Sequence, residues 1–180
     1  HIKPLQKGCF LKYHAKTADW DIETFKNHHY SENIGNAGTA TEQIAGVLQK
    51  AVKRHLISDA PIGVFLSGGL DSSIITRLAG NVHTDTLKTL SIIFEDKAYS
   101  EKKYQDLLLQ KMNCPNWQEI LTEKEFNDKL PQILQAMDLP GCDGINTWFI
   151  SKSAAENGLK AVLSGIGGDE LFGGYPSFRR

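Results

Sequence analysis

Residues Phe65–Ile74 read FLSGGLDSSI. A short apolar run, Ile62 to Leu66, stops at Ser67; Gly68, Gly69, Leu70, Asp71 and two serines follow, and apolar residues resume at Ile74. Continuous apolar runs of this length are typical of parallel strands buried on both faces. Gly68 and Gly69 tolerate positive φ and let a ligand approach the main chain closely. Successive N–H groups in such a turn form a concave, anion-seeking nest. A helix expected over Ser72–Leu78 would point its partial positive end at the same place. The hydroxyls of Ser67, Ser72 and Ser73 are further donors. These residue types suit a phosphate or pyrophosphate. Asp71 suits one only with a divalent cation between its carboxylate and the phosphate oxygens, and Mg²⁺ takes one or two carboxylates plus phosphate oxygens and water. No lysine follows the glycines, so this is not the G-x-x-x-x-G-K-[ST] loop and γ-phosphate transfer is not implied.

A second stretch repeats the arrangement. LKAVLSG (Leu159–Gly165) reads as another apolar strand ending in Ser-Gly, and IGGDELFGGY follows, with Asp169 inside it. Ligand crevices of open parallel sheets lie outside the carboxyl ends of the strands, where strand order reverses. Two Ser-Gly loops, each followed by an aspartate, therefore predict one shared site, with Asp169 as the second carboxylate.

The intervening sequence alternates helix and strand signals. Thr39–Glu42 has the T-x-x-E form of a capping box, and Ile44, Val47, Leu48, Ala51, Val52 and Leu56 follow at helical spacing. Leu87–Phe94 and Trp117–Leu121 read as strands, and Tyr99–Asn113 as a helix opened by Ser100. Glu123–Met137 is helical in pattern, with Pro131 expected to kink or split it. Ile145–Gly158 is a helix with Gly158 as its C′ residue. Trp117 and Trp148 read as packing aromatics. The alternation predicts an α/β fold: a doubly wound, mostly parallel sheet with helices on both faces and right-handed crossovers.

The first thirty residues differ. Cys9, Leu11 and Tyr13 alternate with polar residues, the pattern of a half-buried strand, and a second extended piece is expected at Trp20–Phe25. SENIGNAGTA (Ser31–Ala40) is polar and glycine-bearing, a linker signal. Residues 1–35 are therefore expected to be an arm or the end of another domain plus a linker, and 36–180 the main domain.

The 180 residues are 41% hydrophobic and 23% charged, as in soluble globular proteins, and twenty basic against twenty-one acidic residues give a net charge of -1. That balance lacks the basic excess of a nucleic-acid-binding surface. No apolar run approaches the roughly 20 residues of a membrane span, and the first ten residues hold no signal-peptide core. Three cysteines without C-x-x-C spacing point away from zinc and disulfides and toward a cytoplasmic setting. His28 and His29, adjacent and so not on one helix face, read as solvated loop residues rather than metal ligands.

SGGLDSS (Ser67–Ser73) resembles the pyrophosphate-binding loop of the ATP pyrophosphatase superfamily, which includes GMP, NAD, argininosuccinate and asparagine synthetases. LSGIGGDELFGGY (Leu163–Tyr175) resembles the second signature of the asparagine synthetase family, as does MDLPGCDGINTWFISKSA (Met137–Ala154) just before it. The resemblance runs from about Thr41 to the end, and IKPLQKG resembles the tail of that family's glutaminase domain. It implies an adenine nucleotide α-hydrolase-like (PP-loop) fold that uses ATP and Mg²⁺. It further implies adenylation of a carboxylate with release of pyrophosphate, and displacement of AMP by ammonia derived from glutamine. By the same resemblance, Ser67, Gly68, Gly69, Asp71, Ser72 and Ser73 hold pyrophosphate. Leu66, Ile92, Ser164 and Gly165 line the adenosine site, and Asp71 and Asp169 hold Mg²⁺.

Three departures qualify the inheritance. The chain starts at His1 without an N-terminal cysteine, and Cys9 reads as a packing residue, so no glutamine hydrolysis is expected of this chain. It stops at Arg180, shortly after the second signature, and reads as a piece of a longer protein, with Arg179 and Arg180 solvated. Ile166 stands where asparagine synthetases carry a glutamate close to the acyl-transfer centre, and isoleucine cannot exchange a proton. The acceptor thus stays open between aspartate and another carboxylate such as a sugar acid, and a nucleotide-binding module without catalysis is the third reading.

Overall fold

The computed structural model describes residues 3–25, 35–82, 87–112, 114–139 and 141–179. His28, His29, Arg180, the side chain of Arg179 and the first part of the expected linker lie outside them. The chain divides into two compact units, His1–Gln43 and Ile44–Arg180.

In the first unit β1 (Cys9–His14) and β2 (Asp19–Thr24) pair antiparallel, from Cys9 opposite Thr24 to His14 opposite Asp19. The strands form where alternation placed them, but the half-buried face does not. Leu11 is 50% exposed, Tyr13 61% and Trp20 55%. A two-stranded ribbon has no interior of its own, so alternation alone does not bury it.

The second unit is built on one parallel sheet of β3 (Ile62–Phe65), β4 (Lys88–Phe94), β5 (Asn116–Leu121) and β6 (Ala161–Leu163), in the order β5-β4-β3-β6. The chain steps outward from β3 to β5, then returns to lay β6 on the far side of β3, so strand order reverses between β3 and β6. One sheet face packs Val64 against Val52 and Leu56 of α1 (Ala37–His55) and Ala79 of α2 (Leu70–Gly80), with Met112 of α3 (Lys102–Met112) at its margin. On the other, Phe65, Leu90, Trp117 and Val162 meet Ile150 and Ala154 of α5 (Cys142–Glu156). Beyond them Leu121, Ile133 of α4 (Glu123–Ala136) and Phe149 form a third cluster that includes Trp148. The side-chain period of 2 along each strand divides the apolar residues between two helical layers. The doubly wound sheet is the expected fold.

Local signals set the helix ends, with two corrections. α1 starts at Ala37 because Asn36 Oδ1 accepts the Thr39 N–H (2.8 Å). Asn is as good an N-cap as Thr, and its earlier position displaces the expected start at Thr39. α4 runs unbroken through Pro131. The missing N–H costs one bond, while Thr122 caps the start (Glu125 N–H to Oγ1, 3.1 Å) and fully buried Ile133 anchors the second half. Gly158 ends α5 at φ +76, the left-handed C′ conformation its position called for. Lys152 of α5 reaches Glu119 of β5 (3.8 Å), Glu125 of α4 (3.5 Å) and its own helix's Glu156 (3.6 Å), tying three elements together. Among the described residues no helix is long and apolar enough to cross a membrane.

Candidate nucleotide site

β3 leaves the sheet at the start of the glycine loop. The Leu66 N–H still bonds the Leu90 carbonyl (2.8 Å), but the Ser67 N–H turns back to Ser72 Oγ (3.2 Å). Gly68 then adopts φ +101, and a side chain there would also meet Glu101 Cβ at 3.0 Å. Conformation and space both demand glycine at this point.

The serines build the loop from within. Ser72 Oγ is buried and donates to the Gly69 carbonyl (3.1 Å), and Ser73 Oγ donates to the same carbonyl (2.7 Å). Ser67 Oγ accepts the Gly69 N–H (3.1 Å) and sits 2.9 Å from Ser72 Oγ. Sequence reasoning cast these hydroxyls as donors to a ligand; here they are occupied in shaping the backbone. What faces outward is the start of α2. Gly69 precedes the helix without a side-chain cap. The amides of Leu70, Asp71 and Ser72 therefore have no intrahelical acceptor, and the positive end of the helix dipole lies with them.

The second loop rests on that first turn. A Cβ on Gly165 would lie 2.8 Å from Ser72 N and 3.0 Å from the Asp71 carbonyl carbon. The Gly165 carbonyl accepts the Gly168 N–H (3.2 Å), Ser164 Oγ accepts the Ile166 N–H (3.3 Å), and Gly167 turns at φ +100 into the short α6 (Gly168–Phe172). A side chain on Gly168 would collide with the Asp71 carboxylate, and one on Gly174 with that of Asp169. Asp71 thus reaches from α2 to the start of α6, where Asp169 begins. Both aspartates are half-buried, and among the described residues neither belongs to a salt bridge. The Asp71 carboxylate stands in the first turn of α2 against Gly168, while that of Asp169 packs against Gly174. A carboxylate beside amides without intrahelical acceptors is the kind of group that joins a divalent cation to a phosphate.

Beside the loops a cleft of about 320 Å³ opens between β3, β4, α5 and the loop that follows β6. Its walls are mostly apolar, with Leu66, Leu90, Ile92 and Ile150 among them, and the exposed Ser67 and Ser164 line it too. Ligand pockets commonly fall in the range of roughly 300–1,000 Å³ with apolar walls and a few convergent polar groups. Of the adenosine residues expected from sequence, Leu66, Ile92 and Ser164 line this cleft, while Gly165 packs on α2 next to it. Tyr99, Glu101, Asn146 and Thr147 line it too and were not foreseen. Asn146 and Thr147 lie one turn before Phe149 and Ile150 on the sheet-facing side of α5. That polar interruption of an apolar stripe was the readable signal.

A parallel sheet reversing between β3 and β6, with two glycine loops meeting on one helix start at the reversal, has the fold of the PP-loop, adenine nucleotide α-hydrolase-like class. The glutamine-dependent NAD⁺ synthetase of Acinetobacter baumannii, solved with adenosine diphosphate, shares the fold. The TM-score is 0.55 at 14% identity, over 92% of this chain and 31% of that one.

Within that class the Asparagine synthase family matches residues 43–180, and the chain belongs to that family. It is 33% identical over 185 residues to asparagine synthetase 1 (glutamine-hydrolyzing) of Bacillus subtilis (strain 168), covering 99% of this chain and 28% of that protein. It is 36% identical over 177 residues to putative asparagine synthetase 2 (glutamine-hydrolyzing) of Methanocaldococcus jannaschii, covering 97% and 32%. Asparagine synthetase B (glutamine-hydrolyzing) of Escherichia coli (strain K12) is 29% identical over 198 residues, covering 97% and 32%. The chain therefore spans about a third or less of the length of these relatives.

Proposed function

We propose that this chain is the ATP-binding part of an asparagine synthetase-like amide ligase. In that reaction an acceptor carboxylate oxygen bonds to the α-phosphorus of ATP, the bond to the bridging oxygen breaks, and pyrophosphate leaves. Ammonia then attacks the acyl carbon, AMP departs with the acyl oxygen, and the nitrogen gives up a proton. Glutamine is the ammonia source, as the names of the relatives indicate. Residues 1–35 are the tail of a glutaminase-like domain with its linker, and 36–180 the N-terminal part of the synthetase domain.

The observation that carries this reading is the contact of Gly165 with the first turn of α2, which brings both loops to one mouth. The pyrophosphate lies on the loop Ser67, Gly68, Gly69, Asp71, Ser72 and Ser73. The free first-turn amides and helix dipole supply the attraction, and the serines hold the shape that aims them. Leu66, Ile92, Ser164 and Gly165 flank the adenosine. Asp71 and Asp169 hold Mg²⁺, which when bound neutralises charge on the leaving pyrophosphate.

Ile166 favours a second reading of the acceptor. It stands at the rim of the cleft, 83% exposed, and offers neither charge nor proton. An amidotransferase paralogue acting on another carboxylate, such as a sugar acid, is therefore the second reading beside aspartate. The test is ATP–pyrophosphate exchange by the full-length protein against a panel of carboxylic acids. Exchange with aspartate supports asparagine synthesis, and exchange only with another acid supports the paralogue. Binding of Mg·ATP without exchange on any acid leaves a non-catalytic nucleotide-binding module and defeats the ligase proposal.

A further inference from the structure

One residue of α3 is fully buried, and it is polar: Gln105, 1% exposed. Its amide nitrogen donates to the Ser67 carbonyl (3.0 Å) and to the Ile92 carbonyl (3.3 Å). The Ser67 carbonyl follows the end of β3 and the Ile92 carbonyl lies within β4, just past the Leu66–Leu90 bond where β3 leaves its neighbour. The amide's orientation is dictated by its partners: flipped, it would set its own oxygen against two carbonyl oxygens. Correctly placed, it leaves Gln105 Oε1 buried without a partner among the described residues. A buried acceptor without a donor is unfavourable, while a leucine or methionine would leave the Ser67 and Ile92 carbonyls without this donor. The compensating gain is fixed geometry. Ser67 opens the phosphate loop, and Ile92 lines the adenosine cleft.

We infer that Gln105 is a positioning residue for the nucleotide, setting the spacing between the phosphate loop and the adenosine-lining strand through its two carbonyl bonds. The inference rests on the ATP reading given above. Gln105 does not itself line the cleft. A ligand that spans both halves of the site feels its loss, whereas one that touches only the loop does not.

The test uses the full-length protein in Mg²⁺ buffer, with ATP and inorganic pyrophosphate titrated separately by calorimetry. Gln105→Leu is expected to weaken ATP binding about tenfold or more, while pyrophosphate stays within about threefold. Gln105→Glu keeps the shape of the side chain but at pH 8 places a carboxylate against two carbonyls, so ATP weakens at least as much. Burial and those carbonyls raise the pKa of the new carboxyl above the ordinary value of about 4.3. Near pH 5.5 its O–H then donates one bond, and ATP affinity relative to wild type recovers in the glutamate variant but not in the leucine variant. If the leucine variant does not fold, the glutamate variant at the two pH values carries the test. Equal losses for ATP and pyrophosphate would reduce Gln105 to a support of the loop alone and overturn the inference. Unchanged ATP affinity in either variant, or no acid recovery, overturns it as well. A wild-type protein that does not bind ATP overturns the nucleotide reading itself, an outcome visible before any variant is made.

Discussion

Gly165→Ala tests whether the two loops form one site. Gly165 is not in the left-handed region, so alanine meets no conformational penalty there and the added methyl has only a problem of space. It would lie 2.8 Å from Ser72 N, 3.0 Å from the Asp71 carbonyl carbon and 3.1 Å from Asp71 Cβ. Unstrained contact between carbon atoms is about 3.5–4.0 Å, so the loops must separate by about half an ångström or more. The obstructing atoms are mostly backbone and cannot swing aside. Overpacking of this kind costs about 1–3 kcal/mol, which for a domain of this size lowers Tm by about 2–12 °C. The same displacement moves the first-turn amides of α2, and ATP affinity is expected to fall about tenfold. Gly167→Ala is the matched control: φ is +100 but nothing lies within 4 Å. It should lose stability to backbone strain, about 1–2 kcal/mol, and leave ATP affinity nearly unchanged. Thermal melts and calorimetry on the three proteins decide the matter. If Gly165→Ala binds ATP like wild type, or if Gly167→Ala loses as much affinity, the idea that the second loop braces the first is wrong.

Asp71→Asn should weaken ATP binding at least tenfold in Mg²⁺ and have little effect in EDTA; equal affinity in Mg²⁺ would remove Asp71 from the metal site. Burial lowers the pKa of Lys152, but Glu156, Glu119 and Glu125 outweigh it and leave the net shift upward. A raised folded pKa gives stability that is complete below the unfolded value of about 10.4 and is lost as pH rises through the folded value. Lys152→Met should therefore cost about 1–2 kcal/mol at pH 8, between exposed and fully buried pairs, and the gap in urea melts should narrow above about pH 10.4; a gap constant to pH 11.5 would assign the loss to packing. Gly46 lies inside α1, and a methyl added there would have nothing within 4 Å. Gly46→Ala should therefore stabilise by about 0.5–1 kcal/mol, and a lower Tm would mean that another contact crowds this helix face.

The elements were legible where a local rule acts without competition. Apolar runs at Ile62–Leu66 and Leu87–Phe94 are strands because residues buried on both faces need no polar alternation. Gly158 ends α5 because a left-handed C′ residue is cheapest as glycine. The reading slipped where two local rules compete or tertiary contacts decide. Asn36 and Thr39 are both good caps, and their order in the chain settled the start of α1. Pro131 is expected to kink or split its helix, and α4 is not split: a capped start and the buried Ile133 hold its halves together.

The sequence by itself determined the class of fold and the backbone demands of its first loop, because glycine at those positions restricts the conformation within a few residues. FLSGGLDSSI already contained a strand end, a turn that needs Gly68 and a helix start bearing Asp71. Only the tertiary structure decided how those pieces are used. The hydroxyls of Ser72 and Ser73 turn inward to the Gly69 carbonyl, and Gly165 comes within contact of α2 from far along the chain. Gln105 joins the carbonyls of Ser67 and Ile92. Those relations depend on the order β5-β4-β3-β6, which brings distant loops together at one reversal, and no spacing along the chain encodes a contact made across it.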